Sequence, residues 1–277
     1  MKIAGSNILV TGGCGLVGST TIDLLLRDYS PARITILDDL SRGTESNVAD
    51  ALEDARVELI RGDIRDIDVV KRNTDGMDAV IHMATLRITA CAEEPRAALE
   101  VMCDGSFNVL EAAHLAGVKK VVTASSASIY GLADVFPTLE NHHPYNNRTL
   151  YGATKIFLYS LSCALQWELR DSNIHVCCVC PSGVLTNDTI RRRIQAAGFW
   201  SRMAALEPED VARRTFRGLE RKKRVVIPGV VNKMTYVLSR MFPKSWSMRL
   251  AEIRFKREPE PAKPKSKAPS PVPDSKI

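Results

Sequence analysis

Short apolar runs alternate with amphipathic stretches over the first 230 residues of the chain. Apolar residues recur at helical spacing from Leu16 to Leu26, from Leu99 to Leu115 and from Glu207 to Glu220. The apolar runs typical of buried strands occupy residues 8–10, 34–37, 57–60, 79–84, 121–123, 174–180 and 225–227. This order predicts an α/β fold, a doubly wound parallel sheet of about seven strands with helices on both faces and no sizeable separate substrate domain. Ligands of such sheets bind at the carboxyl ends of the strands.

The first apolar run ends in a glycine-rich turn that opens a helix. Gly13, Gly15 and Gly18 have the spacing G-x-G-x-x-G, in which glycines permit a tight turn and bring the backbone close to a pyrophosphate. The amino end of the following helix favours an anion at this place. The turn predicts a Rossmann fold that binds a dinucleotide, and the alternative is a glycine turn without a ligand.

The second apolar run ends in a carboxylate, Asp38, 20 residues after Gly18. The ribose hydroxyls of a bound dinucleotide lie at this distance from the turn. Because a carboxylate accepts a hydrogen bond from the 2′-hydroxyl and repels a 2′-phosphate, the predicted cofactor is NAD. Arg42, four residues further, is a cation that weakens this selectivity argument. The alternative is an ordinary carboxylate after a turn.

A candidate for proton transfer follows the fifth run. Ser126 lies near its end, and Tyr151 and Lys155 follow with a spacing that places both on one face of a helix. An adjacent ammonium favours the phenolate of a tyrosine, which otherwise has a pKa of about 10. Tyr151 would then exchange a proton with a substrate hydroxyl while Ser126 holds the same oxygen. The alternative is an amphipathic helix with a packed tyrosine and a surface lysine.

Length and composition predict the domain organisation. With 277 residues, 45% of them hydrophobic, the chain can bury one large core, assigned to residues 1–229. Two short amphipathic helices with basic faces are predicted in residues 230–256, and a disordered Pro/Lys-rich tail in residues 257–277. No uncharged apolar run of about 18 residues and no signal-peptide pattern occurs, so we expect a cytoplasmic protein.

The net charge of +6 comes from the C-terminal part of the chain. Residues 213–277 carry 18 Lys and Arg against 5 Asp and Glu. A solvated tail is the commoner cause of such asymmetry, and a weak contact of the basic C-terminus with a membrane surface is the alternative. No nucleic-acid partner is predicted. The seven cysteines, three of them at Cys177, Cys178 and Cys180, are expected to be buried reduced thiols, and their spacing predicts no metal site.

Taken together, the motifs resemble those of a short-chain dehydrogenase/reductase. Residues 7 to about 160 resemble its extended branch, the nucleotide-sugar epimerases and dehydratases of the UDP-glucose 4-epimerase type. The matching stretches are TGGCGLVGS, ILDDLSRG, GDIRD, AVIHMA, SSASIYG and YGATK. The resemblance implies NAD as the cofactor and a small-molecule substrate, and we expect a homodimer.

The resemblance also implies roles for individual residues. The implied contacts of the pyrophosphate are Gly12, Gly15, Leu16, Val17 and Gly18. The other implied cofactor contacts are Asp38 at the adenosine ribose, Asp63 and Ile64 at the adenine, and Met83 and Ala84 at the central part. Ser126, Tyr151 and Lys155 form the implied catalytic set, of which Tyr151 and Lys155 also contact the cofactor. From the residues alone, Asp63 has an alternative role, a loop carboxylate that caps the next helix.

Two stretches depart from the extended branch. Met102 stands where the family usually has Asn in a run like N-V-x-G-T. Residues 172–186 resemble instead the compact branch, whose P-G-x-V-x-T segment holds the nicotinamide carboxamide. This resemblance places Pro181, Val184 and Thr186 at the cofactor. The chain is therefore interpreted as a mosaic of an epimerase-like N-terminal half and a compact reductase-like C-terminal portion.

The main interpretation is an NAD-dependent oxidoreductase that transfers hydride between nicotinamide and a secondary alcohol or ketone. Recognition of a nucleotide sugar needs cations for the diphosphate, and Arg87 and Arg191–Arg193 are the candidates. Because three consecutive arginines fan around a helix, a solvated basic face is the simpler explanation for them. We therefore expect weak or no epimerisation of UDP-sugars. The alternatives are a nucleotide-sugar epimerase or dehydratase and a catalytically impaired dinucleotide-binding scaffold or sensor.

Overall fold

The strands that the structure describes form one parallel sheet. The structure, a computed structural model, describes residues 3–126, 129, 149–181, 183–196, 202–203 and 205–229. The strands are β1 (Asn7–Thr11), β2 (Arg33–Asp38), β3 (Val57–Arg61), β4 (Ala79–His82), β5 (Lys120–Ala124), β6 (His175–Val179) and β7 (Val225–Val226). Their order across the sheet is β3-β2-β1-β4-β5-β6-β7. All pairs are parallel, which confirms the predicted doubly wound α/β fold.

Helices cover both faces of the sheet. They are α1 (Leu16–Asp28), α2 (Ala49–Leu52), α3 (Ile67–Thr74), α4 (Ile88–Glu93), α5 (Pro95–Leu99), α6 (Ser106–Leu115), α7 (Leu150–Glu168), α8 (Asp188–Ala196) and α9 (Pro208–Glu220). A π-helical segment, Glu100–Gly105, joins α5 to α6, so the predicted helix from Leu99 to Leu115 contains one wider turn. In the described part of the chain no helix is both long and apolar enough to cross a membrane.

Two apolar cores lie on opposite faces because side chains alternate along each strand. Ile8 and Val10 of β1 pack on one face with α1 and Phe216 of α9, whereas Leu9 packs on the other with α3, α6 and α7. Cys177 and Cys178 likewise belong to different clusters, and all seven cysteines are free. The strand order reverses between β1 and β4, which opens a crevice at their carboxyl ends.

The structure leaves part of the domain prediction outside its described residues. The amphipathic helices predicted in residues 230–256 and the tail predicted in residues 257–277 both lie there. So do Ala127, Ser128, Tyr130 and Gly131 of the stretch SSASIYG. The last strand that the structure describes is β7, and residues 227–229 follow it.

Candidate active site

The glycine loop between β1 and α1 lies against the end of β4. Gly12 has a φ of +72°, and a Cβ on it would stand 2.6 Å from the backbone nitrogen of Ala84. A Cβ on Gly18 would stand 2.5 Å from the carbonyl oxygen of Gly12. Gly15, the N-cap of α1, has no side chain to cover the amino end of the helix. The loop is therefore a backbone cradle that suits the pyrophosphate of a dinucleotide.

Asp38 fixes the second side of this cradle. Its Oδ2 accepts a hydrogen bond from the Cys14 N–H and its Oδ1 accepts one from the Leu40 N–H, both at 2.9 Å. The carboxylate is buried at the carboxyl end of β2. Since each carboxylate oxygen can accept two hydrogen bonds, one place per oxygen remains for a ribose hydroxyl. The residues present thus fit NAD at both the phosphates and the adenosine ribose.

Tyr151 and Lys155 stand on α7 next to the end of β5. The Thr149 hydroxyl accepts a hydrogen bond from the Gly152 N–H and so starts the helix directly before Tyr151. Lys155 is buried, its Nζ donates to the carbonyl oxygen of Ala124 at 2.7 Å, and it lies 5.8 Å from the centre of the Tyr151 ring. The Ser126 hydroxyl hydrogen-bonds the Tyr151 phenol. The structure therefore brings the three predicted catalytic residues together.

Burial controls the protonation of this group. It raises the pKa of Tyr151, against the hydrogen bond from Ser126, which lowers it. Burial lowers the pKa of Lys155 to about 8. The four-residue spacing predicted a lowered pKa for the Tyr151 phenol, and this prediction is wrong for the structure. The Nζ of Lys155 is directed to Ala124, and the loss of solvation around the phenol outweighs the effects that lower its pKa. The phenol is protonated at neutral pH in this state.

Asp63, in the stretch GDIRD after β3, binds a neighbouring arginine and does not cap α3. Arg65 holds the Asp63 carboxylate through Nε and Nη2, at 2.8 and 2.5 Å to Oδ2, and this hydrogen bonding lowers the pKa of Asp63. The cap of α3 is Asp66, whose side chain accepts from Asp68 N–H and Val69 N–H. The alternative role of Asp63 as a helix cap is therefore wrong. Ile64 is buried against Gly105.

Some of the other predicted NAD contacts lie at an apolar cavity or at the glycine loop, and the rest lie in the segment after β6. Val17, Met83 and Pro181 line one small apolar cavity of about 50 Å³, and Ala84 lies at the glycine loop. Val184 pairs with Leu206 in an isolated bridge, and the Thr186 N–H donates to the Val184 carbonyl at 2.9 Å. Of the three predicted carboxamide contacts, Pro181 therefore lines this cavity, and Val184 and Thr186 do not.

The candidate diphosphate cations differ in their partners. Arg191 forms two hydrogen bonds with the Glu207 carboxylate, at 2.8 and 2.7 Å. Arg87 is exposed at the start of α4, and Arg192 is exposed on α8. Arg191 is thus held by an acidic partner.

Two buried groups near the site were not assigned a role from the sequence. His82, at the end of β4, hydrogen-bonds with Thr11 Oγ1 through Nδ1 at 2.7 Å and with Ser106 Oγ through Nε2 at 2.9 Å. The sulfur of Met102, in the π-helical segment, accepts from Cys91 Sγ at 3.5 Å and from Thr154 Oγ1 at 3.4 Å. The sequence signal for the His82 group was a histidine inside a buried apolar strand. The signal for the Met102 group was the absence of the amide that the family usually has at this position.

Comparison with known proteins places these features in a family. The model of the NAD dependent epimerase/dehydratase family matches residues 8–205. A UDP-glucose 4-epimerase of Mycolicibacterium smegmatis is 35% identical over 169 residues, which cover 56% of this chain and 53% of the relative. A dTDP-glucose 4,6-dehydratase of Mycobacterium tuberculosis is 32% identical over 152 residues, covering 53% and 45%. The chain spans about half the length of the curated relatives it matches.

Solved structures share the fold. An epimerase from Methanothermobacter thermautotrophicus superposes with a TM-score of 0.70 at 25% identity, over 86% of this chain and 78% of that one. The dTDP-glucose 4,6-dehydratase DesIV of Streptomyces venezuelae, solved with NAD, gives a TM-score of 0.69 at 22% identity, over 84% and 79%. The parallel sheet is thus that of known NAD-binding proteins.

Proposed function

Because the chain belongs to the NAD dependent epimerase/dehydratase family, we propose that it uses NAD to oxidise and reduce a secondary alcohol carbon of a nucleotide-linked sugar. Its curated relatives include both epimerases and dehydratases of such sugars. The comparisons favour this alternative over our main interpretation from the sequence, net oxidation of a smaller alcohol. Because these relatives are named as enzymes, they also favour a catalytic function over the alternative of a catalytically impaired scaffold or sensor.

The observation that carries the proposal is the position of the Ser126, Tyr151 and Lys155 group. It stands at the carboxyl end of β5, in the same crevice as the glycine loop. The bound NAD supplies the acceptor and donor of hydride. Tyr151 accepts the proton of the sugar hydroxyl as the phenolate and returns it when the sugar is reduced. The phenol, which is protonated in this structure, must therefore first give its own proton to solvent, and the positive charge of Lys155 favours that loss. Ser126 donates a hydrogen bond toward that oxygen, and Asp38 holds the adenosine ribose.

The remaining predictions about the chain stay proposals. We propose that Pro181, Val184 and Thr186 close the NAD site, and the family match includes all three positions. The mosaic interpretation and the cytoplasmic location stay predictions. The exposed apolar side chains of Leu99, Phe107 and Phe157 on neighbouring helices support a homodimer. A molecular mass equal to that of a single chain, measured by light scattering, would contradict it.

The experiment is product analysis with NAD and, in separate samples, UDP-glucose, dTDP-glucose and small secondary alcohols. Epimerisation gives an isomer of the sugar without net NADH, dehydration gives a product lighter by one water, and simple oxidation gives NADH in proportion to substrate. Either of the first two results supports the proposal. Oxidation of small secondary alcohols with both nucleotide sugars left untouched would contradict it and restore the interpretation as a compact reductase.

A further inference from the structure

The amino ends of β5, β6 and β7 form a continuous surface opposite the active site. These three strands are neighbours in the parallel sheet, and each follows a connection from the end of a helix. The His175 N–H donates to the carbonyl of Lys119 at 2.9 Å, and His175 Nε2 lies 3.1 Å from the carbonyl of Lys223. Gln166 Nε2 donates to the carbonyl of Arg224 at 2.8 Å. We call this surface, with the ends of α6, α7 and α9, the basic edge.

Positive charge is concentrated on the basic edge. Its exposed cations are Lys119, Arg170, Arg221, Lys222, Lys223 and Arg224, and its exposed acids are Glu168, Asp171 and Glu220. The connections that lead into β2, β3 and β4 on the same side of the sheet, residues 28–33, 53–56 and 75–78, carry five Asp and Glu against two Lys and Arg. The helix ends beside these connections carry Arg27, Lys71 and Arg72, so this half is close to neutral and the positive charge of this side is concentrated on the basic edge.

The cations lie close enough together to affect one another. Burial lowers the pKa of His175, the hydrogen bond with the Lys223 carbonyl raises it, and the charges of Lys120, Lys222 and Arg224 lower it. Lys119 pairs with Asp78 at 3.0 Å, where the basic edge meets the rest of this side of the sheet. The run from Arg221 to Arg224 lies beyond that boundary and has only Glu220 next to it in the chain.

Two large apolar side chains protrude at the same edge. Leu115, the last residue of α6, is 65% exposed, and Trp167, near the end of α7, is 62% exposed. These are the highest exposures among the large apolar residues that the structure describes. The guanidinium of Arg170 lies over the Trp167 ring at 4.8 Å. Neither side chain is used by the candidate active site.

The helix ends at the basic edge indicate which kind of anionic ligand can bind there. The helices α6, α7 and α9 end here, and the carboxyl end of a helix carries partial negative charge. A single phosphate would therefore bind better at a helix amino end, whereas side-chain cations attract an extended anionic surface. A nucleic acid supplies phosphates but no apolar phase for Leu115. A bilayer interface accommodates Lys, Arg, Trp and Leu together.

We propose that the basic edge binds membranes that contain anionic lipids, with its lysines and arginines at the headgroups and with Trp167 and Leu115 in the interfacial layer. The crevice at the carboxyl ends of the strands then faces away from the bilayer. This attachment is independent of the proposed function, since no residue of the basic edge belongs to the candidate active site.

The test is co-sedimentation of the full chain with phosphatidylcholine vesicles, with and without phosphatidylserine. We expect binding only with phosphatidylserine, and weaker binding as salt screens the charges. The double variant Lys222→Glu/Lys223→Glu should bind at least about 10-fold more weakly. Arg96→Glu/Arg192→Glu is the matched control, because it changes the charge equally on α5 and α8, away from the basic edge, and leaves residues 230–277 in place.

Trp167→Ser separates the apolar part of the proposal from the electrostatic part and should weaken binding while the response to salt persists. Equal losses in the two double variants would overturn the proposal, because they would indicate attraction to net charge alone. Absence of binding by the wild-type chain, or unchanged binding by Trp167→Ser, would overturn it as well. So would binding to an RNA oligonucleotide that is lost in the 222/223 variant while no vesicle binding occurs. NAD binding by all variants, measured by calorimetry, verifies that they are folded.

Discussion

At the level of single residues, burial determines the chemistry of the site more than spacing does. The helical spacing of Tyr151 and Lys155 predicted that they share a face of α7, and they do. The sequence could not predict that Lys155 would be buried and directed to Ala124, because that contact depends on the position of β5. Burial then moves both pKa values away from the charged forms.

Asp38 should determine the choice between NAD and NADP. We expect Asp38→Ala to weaken NAD binding and to narrow its advantage over NADP, because the repulsion of a 2′-phosphate is lost. It should also loosen the glycine loop, since the N–H groups of Cys14 and Leu40 lose their acceptor. Calorimetry with both cofactors measures the change. Asp39→Ala, at the exposed neighbouring carboxylate, is the control, and an equal effect of both variants would contradict the assignment.

His82 should make the fold sensitive to acid. Burial, and next the charge of Lys155, lower the pKa of His82 to about 3, whereas an unfolded chain has a histidine pKa of about 6.5. The unfolded chain therefore takes up a proton that the folded chain does not, so the stability from neutral His82 is present above pH 6.5 and is lost as pH falls. The expected slope is about 1.4 kcal/mol per pH unit.

Urea unfolding of the wild-type chain and of His82→Asn measures this slope. Between about pH 6.5 and pH 5 the wild-type chain should lose about 2 kcal/mol through His82, and the variant should lack that part of the loss. The variant is expected to be less stable at neutral pH, because Thr11 and Ser106 lose a partner. An unchanged slope in the variant would contradict the assignment of acid sensitivity to His82.

At the level of elements, the sequence predicted most strands and helices but not how closely they approach. Apolar runs and glycines indicated β1, α1 and β2 within one or two residues of the observed bounds. The predicted end of β4 at Ala84 is wrong, because the chain leaves the sheet after His82 to cover the glycine loop. The π-helical segment was not predicted either, since its residues have ordinary helical periodicity.

Gly12 tests the importance of this close approach. Gly12→Ala places a methyl group 2.6 Å from the Ala84 nitrogen in a backbone with positive φ, so we expect loss of NAD binding and of several degrees in melting temperature. Gly76→Ala is the matched control: its φ of +69° is nearly the same, but nothing lies within 4 Å of the added Cβ. The control should show only the backbone cost, about 1 kcal/mol, with normal NAD binding. Equal effects of the two substitutions would mean that the approach to β4 is unimportant.

At the level of the whole molecule, the order of elements predicted the fold and the location of the site. Alternating strands and helices imply a parallel sheet with its ligands at the carboxyl ends, and the glycine loop, Asp38 and the Tyr151 group all lie at that edge. The substrate was not predictable in the same way. It depends on side chains that converge from distant parts of the chain, and the resemblances of the two halves indicated different substrates. The proposal of a nucleotide sugar rests on the curated relatives, which include a UDP-glucose 4-epimerase and a dTDP-glucose 4,6-dehydratase.

In the proposed function, Tyr151 transfers the proton while a nucleotide sugar is oxidised and reduced in the NAD site. The most direct measurement compares the rate of nucleotide-sugar conversion by the wild-type chain and by Tyr151→Phe, with NAD affinity measured in the same samples. We expect a rate lower by about 10²–10⁴ in the variant, with NAD affinity nearly unchanged, because the ring is kept and only the transferable proton is removed. Conversion by Tyr151→Phe within a few-fold of the wild-type rate would contradict it.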